Sequence, residues 1–280
     1  MMIYSPLRYP GGKGKLIPMI EKLIDQYGHK GGTYIEPFAG GAAVAIGLLE
    51  RGVVSEIVIN DLDKGIYSFW RAILENTERF IKQVKTVPLN IDEWKHQRDI
   101  CFNQNKKYSF ELGFATFYMN RTNRSGIIKG GVIGGQNQAG EWRLDARFNR
   151  DRLIERIEKI AKYKSKIHLY NKDIESFILN YIPLYGDNSF IYFDPPYYNK
   201  GKQLYLNFFN NNDHLRIAKL IKEKVNSDWV ITYDEEPQIA EIYKEYTIRP
   251  YKLNYSVSKK RTGKEIIIFK TTVNMYEEIS

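Results

Sequence analysis

The sequence predicts an α/β fold built on a mostly parallel sheet, and three observations carry that expectation. Short apolar runs of strand length recur along the chain, and helix-period stretches separate most of them. The run Phe190-Ile-Tyr-Phe193 ends at Asp194 and is followed at once by Pro195 and Pro196. A wholly apolar run suits a strand buried on both faces, the habit of parallel sheets. Two prolines cannot extend a strand, so the chain must leave the sheet there. In open α/β sheets, ligands bind just outside the carboxyl ends of strands. Asp194, the prolyl carbonyls and the face of Tyr197 therefore meet at a candidate site. A planar base with an exocyclic amine fits this equipment. Its two N–H groups need two acceptors, the Asp194 carboxylate and the Pro195 carbonyl, while the ring stacks on Tyr197. The plainer alternative is a strand-ending Asp-Pro turn.

Residues 5–15 form a glycine-rich loop carrying Lys13 and Lys15, and Leu16, Ile17, Ile20, Leu23 and Ile24 then follow helical spacing. Such a loop opening a helix favours an anion or carboxylate. It is not a nucleotide-hydrolase phosphate loop, because Leu16 stands where Ser or Thr is required and no strand precedes it. A simple loop before a helix cap is the other reading of Gly11-Gly12. The run 34–37 reads as a strand leading into Phe38-Ala-Gly-Gly-Ala42 and a helix from 43 to 51, with Gly40 and Gly41 allowing a tight turn. The next strand, 56–60, ends in Asp61, about 20 residues past the glycines, where nucleoside-binding βαβ units place a carboxylate on ribose hydroxyls. Asp61 capping the following helix is the competing reading.

From 77 to 164 no strand-like run occurs. Helical stretches are expected at 78–87, 91–103 and 110–119, followed by Asn120-Arg-Thr-Asn-Arg-Ser-Gly126 and a long glycine-rich segment, 127–149. Asn120, Arg121, Asn123, Arg124, Lys129, Arg143 and Arg147 lie in it, together with Gln136, Asn137, Gln138, Trp142 and Arg150. This mixture suits phosphate contacts and base-edge readout. A solvated loop is the alternative. A helix at 152–163 returns the chain to a strand at 167–170, which leads to Asp173, read equally well as a helix N-cap or as an acceptor for an adenine amine. Beyond Tyr197, residues 198–212 form an aromatic, basic loop suited to closing over a base. Asp213 is expected to cap the next helix, and His214 is assigned no role. A strand at 229–232, a helix at 237–244 and a closing antiparallel pair, 246–255 with 265–269, complete the chain. Lys259, Lys260 and Arg261 sit in the basic turn of that pair, suited to phosphates or merely solvated.

The 280-residue chain is long enough for one large α/β domain or one with an insertion. Its 43% hydrophobic and 27% charged composition is that of a globular protein, and its net charge of +9 fits a polyanion partner. With Cys101 alone, an intrachain disulfide and a cysteine zinc site are excluded. No apolar run approaches the ~20 residues of a membrane helix, and no secretory signal is visible. A cytoplasmic, nucleoid-associated, monomeric protein without a metal is expected.

Four segments in order, Pro10-Gly-Gly-Lys13, Glu36-Pro-Phe-Ala-Gly-Gly41, Asn60-Asp61 and Asp194-Pro-Pro-Tyr197, give the chain a close resemblance to the Dam-like (D12 class) adenine-N6 DNA methyltransferases in the α arrangement of motifs. The resemblance implies a Rossmann-like class I methyltransferase fold with a seven-stranded mixed sheet and S-adenosylmethionine as methyl donor. It places Tyr9, Lys13, Glu36, Phe38, Gly40 and Asp61 at the cofactor, with Asp173 and Ile174 on its adenine and Asp194 between cofactor and base. It assigns catalysis to Asp194, Pro195, Pro196 and Tyr197, on an adenine flipped from double-stranded DNA. It divides the chain into a first catalytic part, 1–76, an inserted target-recognition domain, 77–150, and a second catalytic part, 151–280. It leaves open a cognate restriction endonuclease. Arg8-Tyr9 departs from the Lys-Trp of many relatives. The alternatives are a cytosine-N4 or RNA amino-methyltransferase and, more distantly, a non-catalytic DNA-binding regulator.

Overall fold

A computed structural model describes residues 4–8, 13–103, 108–198, 209–255 and 261–271, of which 252–255 and 261–264 are described for their backbone alone. Seven strands form one sheet: β1 (Thr33–Glu36), β2 (Glu56–Asn60), β3 (Ile167–Tyr170), β4 (Ser189–Phe193), β5 (Asp228–Asp234), β6 (Thr247–Tyr255) and β7 (Arg261–Phe269). Their order is β3-β2-β1-β4-β5-β7-β6. The first five are mutually parallel, and β7 inserts antiparallel between β5 and β6. The first six lie within two residues of the expected bounds, but β7 begins at Arg261 and not at 265, because the ladder with β6 continues to Tyr255–Arg261, so Arg261 belongs to the strand and not to the basic turn. Pro250, which cannot donate to a ladder, is accommodated because β6 is the sheet edge.

This order has a consequence for chemistry. From β1 the chain runs outward through β2 to β3, then returns to place β4 on the other side of β1. The carboxyl ends of β1 and β4 thus flank a topological switch point, where an open α/β sheet leaves a crevice.

The helices are α1 (Ile17–Gln26), α2 (Ala43–Glu50), α3 (Lys64–Glu75), α4 (Thr77–Thr86), α5 (Ile91–Asn103), α6 (Phe110–Thr122), α7 (Arg150–Ala161), α8 (Ile174–Asn180), α9 (Asn211–Lys224) and α10 (Pro237–Ile242). One sheet face packs Tyr34, Ile57 and Ile59 against residues of α1, α2, α3 and α7. The other packs Ile35, Ile191 and Ile231 against α8, α9 and α10. The first core runs unbroken into α4, α5 and α6 through Phe69, Phe80, Phe114 and Phe117. Phe69 and Phe117 stack at 5.9 Å, with Phe80 set edge-on to both. The strandless region therefore shares its core with the sheet.

Three local expectations are corrected. Lys13–Leu16 form a 3-10 turn, and the α-helix begins only at Ile17, with Pro18 in its first turn. Asn210, not Asp213, caps α9, because Asp213 sits three residues in and closes a capping box. The 127–149 segment is not structureless: Val132 bridges to Asn123, and buried Leu144 and Phe148 pin a 3-10 turn.

Helices α3 and α6 approach closely at Gly113, where an added Cβ would lie 2.4 Å from the Ser68 carbonyl oxygen. Alanine in a helix interior ordinarily stabilises by up to about 1 kcal/mol over glycine. Here the neighbour is backbone, so overpacking outweighs propensity. Gly113→Ala is expected to cost about 1–3 kcal/mol in denaturant unfolding; a gain in stability would contradict this packing.

Candidate active site at the switch point

Asp194 follows β4, and its Oδ1 accepts a hydrogen bond from Thr232 Oγ1 of β5 at 2.8 Å. The same oxygen lies 3.2 Å from Lys13 Nζ, which also donates to Glu265 Oε2 of β7 at 2.8 Å. The other Glu265 oxygen, Oε1, accepts from the Tyr197 hydroxyl at 2.6 Å. Asp194 Oδ2 has no hydrogen-bond partner among the described residues. Tyr198 N–H donates to Asp234 Oδ1, and Asp234 is the cross-strand partner of Glu265. The Asp-Pro-Pro-Tyr segment is thus gripped from β5 and β7 by side chains.

One ammonium serves two carboxylates here. Burial alone would lower the Lys13 pKa, but Asp194 and Glu265 together hold it above its ordinary value. Asp194 is raised, first by loss of solvent and then by the Glu265 charge, with Lys13 and Thr232 opposing. Glu36, at the end of β1, is buried and held well above the usual carboxylate range by desolvation and by the Asp194 charge. Its Oε2 has no partner among the described residues.

The glycine turn after β1 is held at Gly40 by two hydrogen bonds. Gly40 takes φ +47°, and Ala42 also adopts left-handed backbone, at φ +45°. The Gly40 N–H donates to Asp61 Oδ2 at 2.8 Å, and its carbonyl accepts from the Trp70 indole at 2.9 Å. Asp61 Oδ1 accepts from Asp63 N–H, and Asp63 rather than Asp61 caps α3. Desolvation, reinforced by Asp63, pushes the Asp61 carboxyl up to about 7. Phe38 is half-buried and meets Phe209 edge-on at 5.8 Å. Asp173 caps α8 through Ser176 N–H, and Ile174 is buried in the second core. His214, also buried, has Nδ1 3.0 Å from the Tyr233 hydroxyl and packs against Tyr198 and Phe209.

Two residues expected at a DNA surface belong to the interior. The Asn120 amide bonds Arg8 N–H, Arg8 carbonyl and Gly126 carbonyl; the Asn123 amide bonds the Trp94 indole and the carbonyls of Ile127 and Ile128. Both are buried and satisfied, so they shape the segment instead of facing outward. Arg121 is also largely buried, donates to the Arg147 carbonyl, and has an unpartnered Nε among the described residues. Burial, then the charges of Arg8, Arg156 and Arg147, lowers its pKa to about 9. Arg124, Lys129, Arg143 and Arg147 are exposed. Tyr9, Lys259 and Lys260 lie outside the described residues, and Arg261 is described for its backbone alone. Glu265 and Thr232 were missed from sequence. Their only signal is alternation along strands whose register sequence does not set.

A switch-point crevice with a strand-end Asp-Pro-Pro-Tyr on one side and a glycine turn with a spaced acid on the other defines a Rossmann-like S-adenosylmethionine-dependent amino-methyltransferase. A family model, D12 class N6 adenine-specific DNA methyltransferase, matches residues 9–257. Among curated relatives, a type II methyltransferase of Methanocaldococcus jannaschii, M.MjaIII, is 26% identical over 238 residues, 78% of each chain. Another from Lactococcus lactis subsp. cremoris, M1.LlaDCHI, is 23% identical over 86% of this chain and 84% of its own. Among solved structures, the rRNA methyltransferase aviRa from Streptomyces viridochromogenes aligns with TM-score 0.38 and 12% identity, covering 94% of this chain and 85% of its own. The chain belongs to the D12 class of N6 adenine-specific DNA methyltransferases. Its reaction is methyl transfer from S-adenosylmethionine to adenine N6 in DNA. Among the described residues no helix is long and apolar enough to cross a membrane.

The residues fit that cofactor's charge. Asp194 and Glu265 share the Lys13 ammonium, and buried Glu36 keeps an oxygen with no partner among the described residues. A ligand carrying a sulfonium and an amine complements such a site. Removing Lys13 takes away the counter-charge that Asp194 and Glu265 share. Lys13→Met is expected to cost about 3–5 kcal/mol at pH 8. Asp194, already raised, rises further without Lys13, so the folded variant binds extra protons as pH falls. The deficit relative to wild type should therefore narrow between pH 8 and 5.5 in denaturant titrations; a deficit independent of pH would contradict the shared-charge arrangement.

Proposed function

We propose that the chain methylates an adenine extruded from double-stranded DNA at a specific site, with Asp194 Oδ2 and the Pro195 carbonyl accepting the two N6 hydrogens and Tyr197 stacking on the ring. The single observation that carries this reading is the Asp194 carboxylate, held by Thr232 and Lys13 through one oxygen while the other has no hydrogen-bond partner among the described residues. Adenine N6 is a poor nucleophile because its lone pair is delocalised into the ring. Two acceptors drawing on its hydrogens favour a pyramidal nitrogen and aim the lone pair outward. Catalysis is then positioning and electrostatic preorganisation. Bound S-adenosylmethionine supplies a methyl group already activated by its sulfonium. Glu36 and Asp61 would hold its amine and its ribose hydroxyls, with Lys13, Phe38, Gly40, Asp173 and Ile174 around it. Extrusion costs a few kcal/mol, offset by stacking and by contacts to the unpaired strand.

We assign target recognition to 77–150, flanked by catalytic parts 1–76 and 151–280. Exposed Arg124, Lys129, Arg143 and Arg147 supply phosphate and base-edge donors, and Arg121 stands among Arg8, Arg147 and Arg156. A recess lined by Trp94, Lys95, Arg98, Lys129 and Gln136 lies on the same region. The net charge of +9 suits a polyanion. A monomer acting in the cytoplasm at the nucleoid, with or without a cognate endonuclease, fits this reading.

Radiolabelled methyl transfer to unmethylated duplex DNA, followed by nucleoside digestion, should place the label in N6-methyladenine. Label in N4-methylcytosine would correct the base. Asp194→Ala should lose at least about 1,000-fold in transfer (~4 kcal/mol), the scale of removing a preorganised transition-state contact. Near-normal turnover in that variant would sink the mechanism.

Asp61 must be ionised to accept from two hydroxyls. With its carboxyl at about 7, affinity for S-adenosylhomocysteine should rise roughly tenfold from pH 6 to pH 8. Calorimetry on Asp61→Asn should show weaker binding with a shallower pH slope; an equal pH slope in the variant would remove Asp61 from the ribose.

A further inference from the structure

Glu265 is the buried charge that the catalytic motif does not itself explain. It lies on β7, 1% exposed and 68 residues from the tyrosine it contacts. Burying a carboxylate is costly, and an apolar residue of similar volume would often be as stable or more so. Lys13 offsets part of that cost but does not require a second carboxylate, since Asp194 already faces it.

The need arises at the two prolines. Neither Pro195 nor Pro196 has an N–H, so ladder hydrogen bonds cannot fix the segment beyond β4. Its position must be set by side chains reaching in from the neighbouring strands. Thr232 of β5 takes Asp194, Asp234 of β5 takes the Tyr198 N–H, and Glu265 of β7 takes the Tyr197 hydroxyl. The last is a short, charge-assisted bond at 2.6 Å, about twice as strong as a neutral one. The hydroxyl oxygen lies on the long axis of the ring, so anchoring it fixes χ1, the direction in which the ring points, and leaves rotation about that axis to be limited by the ring's neighbours. Lys13 Nζ lies 5.5 Å from the same ring centroid, which further limits its swing.

We propose that Glu265 is a positioning residue that fixes the Tyr197 ring as the stacking platform for the extruded adenine, with Lys13 supplying the charge that lets it do so from inside the fold. The proposal rests on the base-stacking role given to Tyr197 above. It makes β7 a working part of the active site through a residue outside the Asp-Pro-Pro-Tyr motif.

The test is a double-variant cycle on the full chain, Glu265→Gln and Tyr197→Phe, each removing one half of the anchor at nearly constant volume. Methyl transfer kinetics are read on duplex DNA containing the site mapped from wild-type product, and S-adenosylhomocysteine affinity is read by calorimetry. Each single variant is expected to lower kcat about tenfold, with KM for DNA and cofactor affinity within threefold of wild type. The double variant should be no more than threefold below the poorer single. Tyr197→Phe loses only a hydroxyl and should fold even if Glu265→Gln does not, so its kcat alone decides in that event. A kcat within threefold of wild type in either folded single variant, multiplicative losses in the double, or a loss confined to cofactor affinity would overturn the assignment. If wild type itself forms no N6-methyladenine, the functional reading fails first, and the two failures are thereby distinct.

Discussion

The Lys13 ammonium, caught between Asp194 and Glu265, is the interaction on which the rest of the site depends. A carboxylate at the end of a buried strand loses solvent whether or not it is useful. Without a nearby cation it takes up a proton and stops being an acceptor. Lys13 opposes that drift at Asp194 but is shared with Glu265, and desolvation leaves Asp194 raised; Glu36 is held well above the carboxylate range by its own desolvation and the Asp194 charge. Among the described residues the site is therefore rich in carboxylates relative to positive charge before any ligand arrives. A cationic methyl donor completes the balance, and the same excess of acceptors suits the hydrogens of an exocyclic amine.

Topology brings these groups together from distant sequence. Lys13 comes from a turn before the first helix, Glu36 from β1, Asp194 from β4, Thr232 from β5 and Glu265 from β7. Because β1 and β4 are neighbours at the switch point, the glycine turn and the Asp-Pro-Pro-Tyr segment open onto one crevice. Because β7 inserts between β5 and β6, a residue near the end of the chain reaches the middle of the site. The helices that follow β2 are packed on this frame through a common aromatic core, so the region proposed for target recognition and the catalytic strands share one packed interior.

Much of this was legible from residues alone. Short apolar runs marked the central parallel strands because a sheet covered on both faces has no polar side to confuse the pattern. Asp194 and Gly40 were legible because proline and glycine impose backbone events that side-chain packing cannot override. Asn120 and Asn123 misled, since an amide that satisfies two or three backbone groups in a buried turn looks the same in sequence as one that reads a base. Glu265 was invisible for the opposite reason. In sequence it is one acid in a basic hairpin, and only the β5–β7 register places it beneath Tyr197. Asp213 and Asn210 exchanged roles because both halves of a capping box are good caps and the choice lies in backbone dihedrals.

The account's central claim is that adenine meets Asp194 and Tyr197 as a flipped base on a platform already built in the free protein. A crystal structure with S-adenosylhomocysteine and a duplex carrying the target site tests it most directly. The account predicts the adenine outside the helix, N6 within hydrogen-bond distance of Asp194 and the Pro195 carbonyl, its ring on Tyr197, and the Tyr197–Glu265 bond intact. An adenine still stacked in the duplex, or a Tyr197 ring turned away from both the base and Glu265, would contradict it.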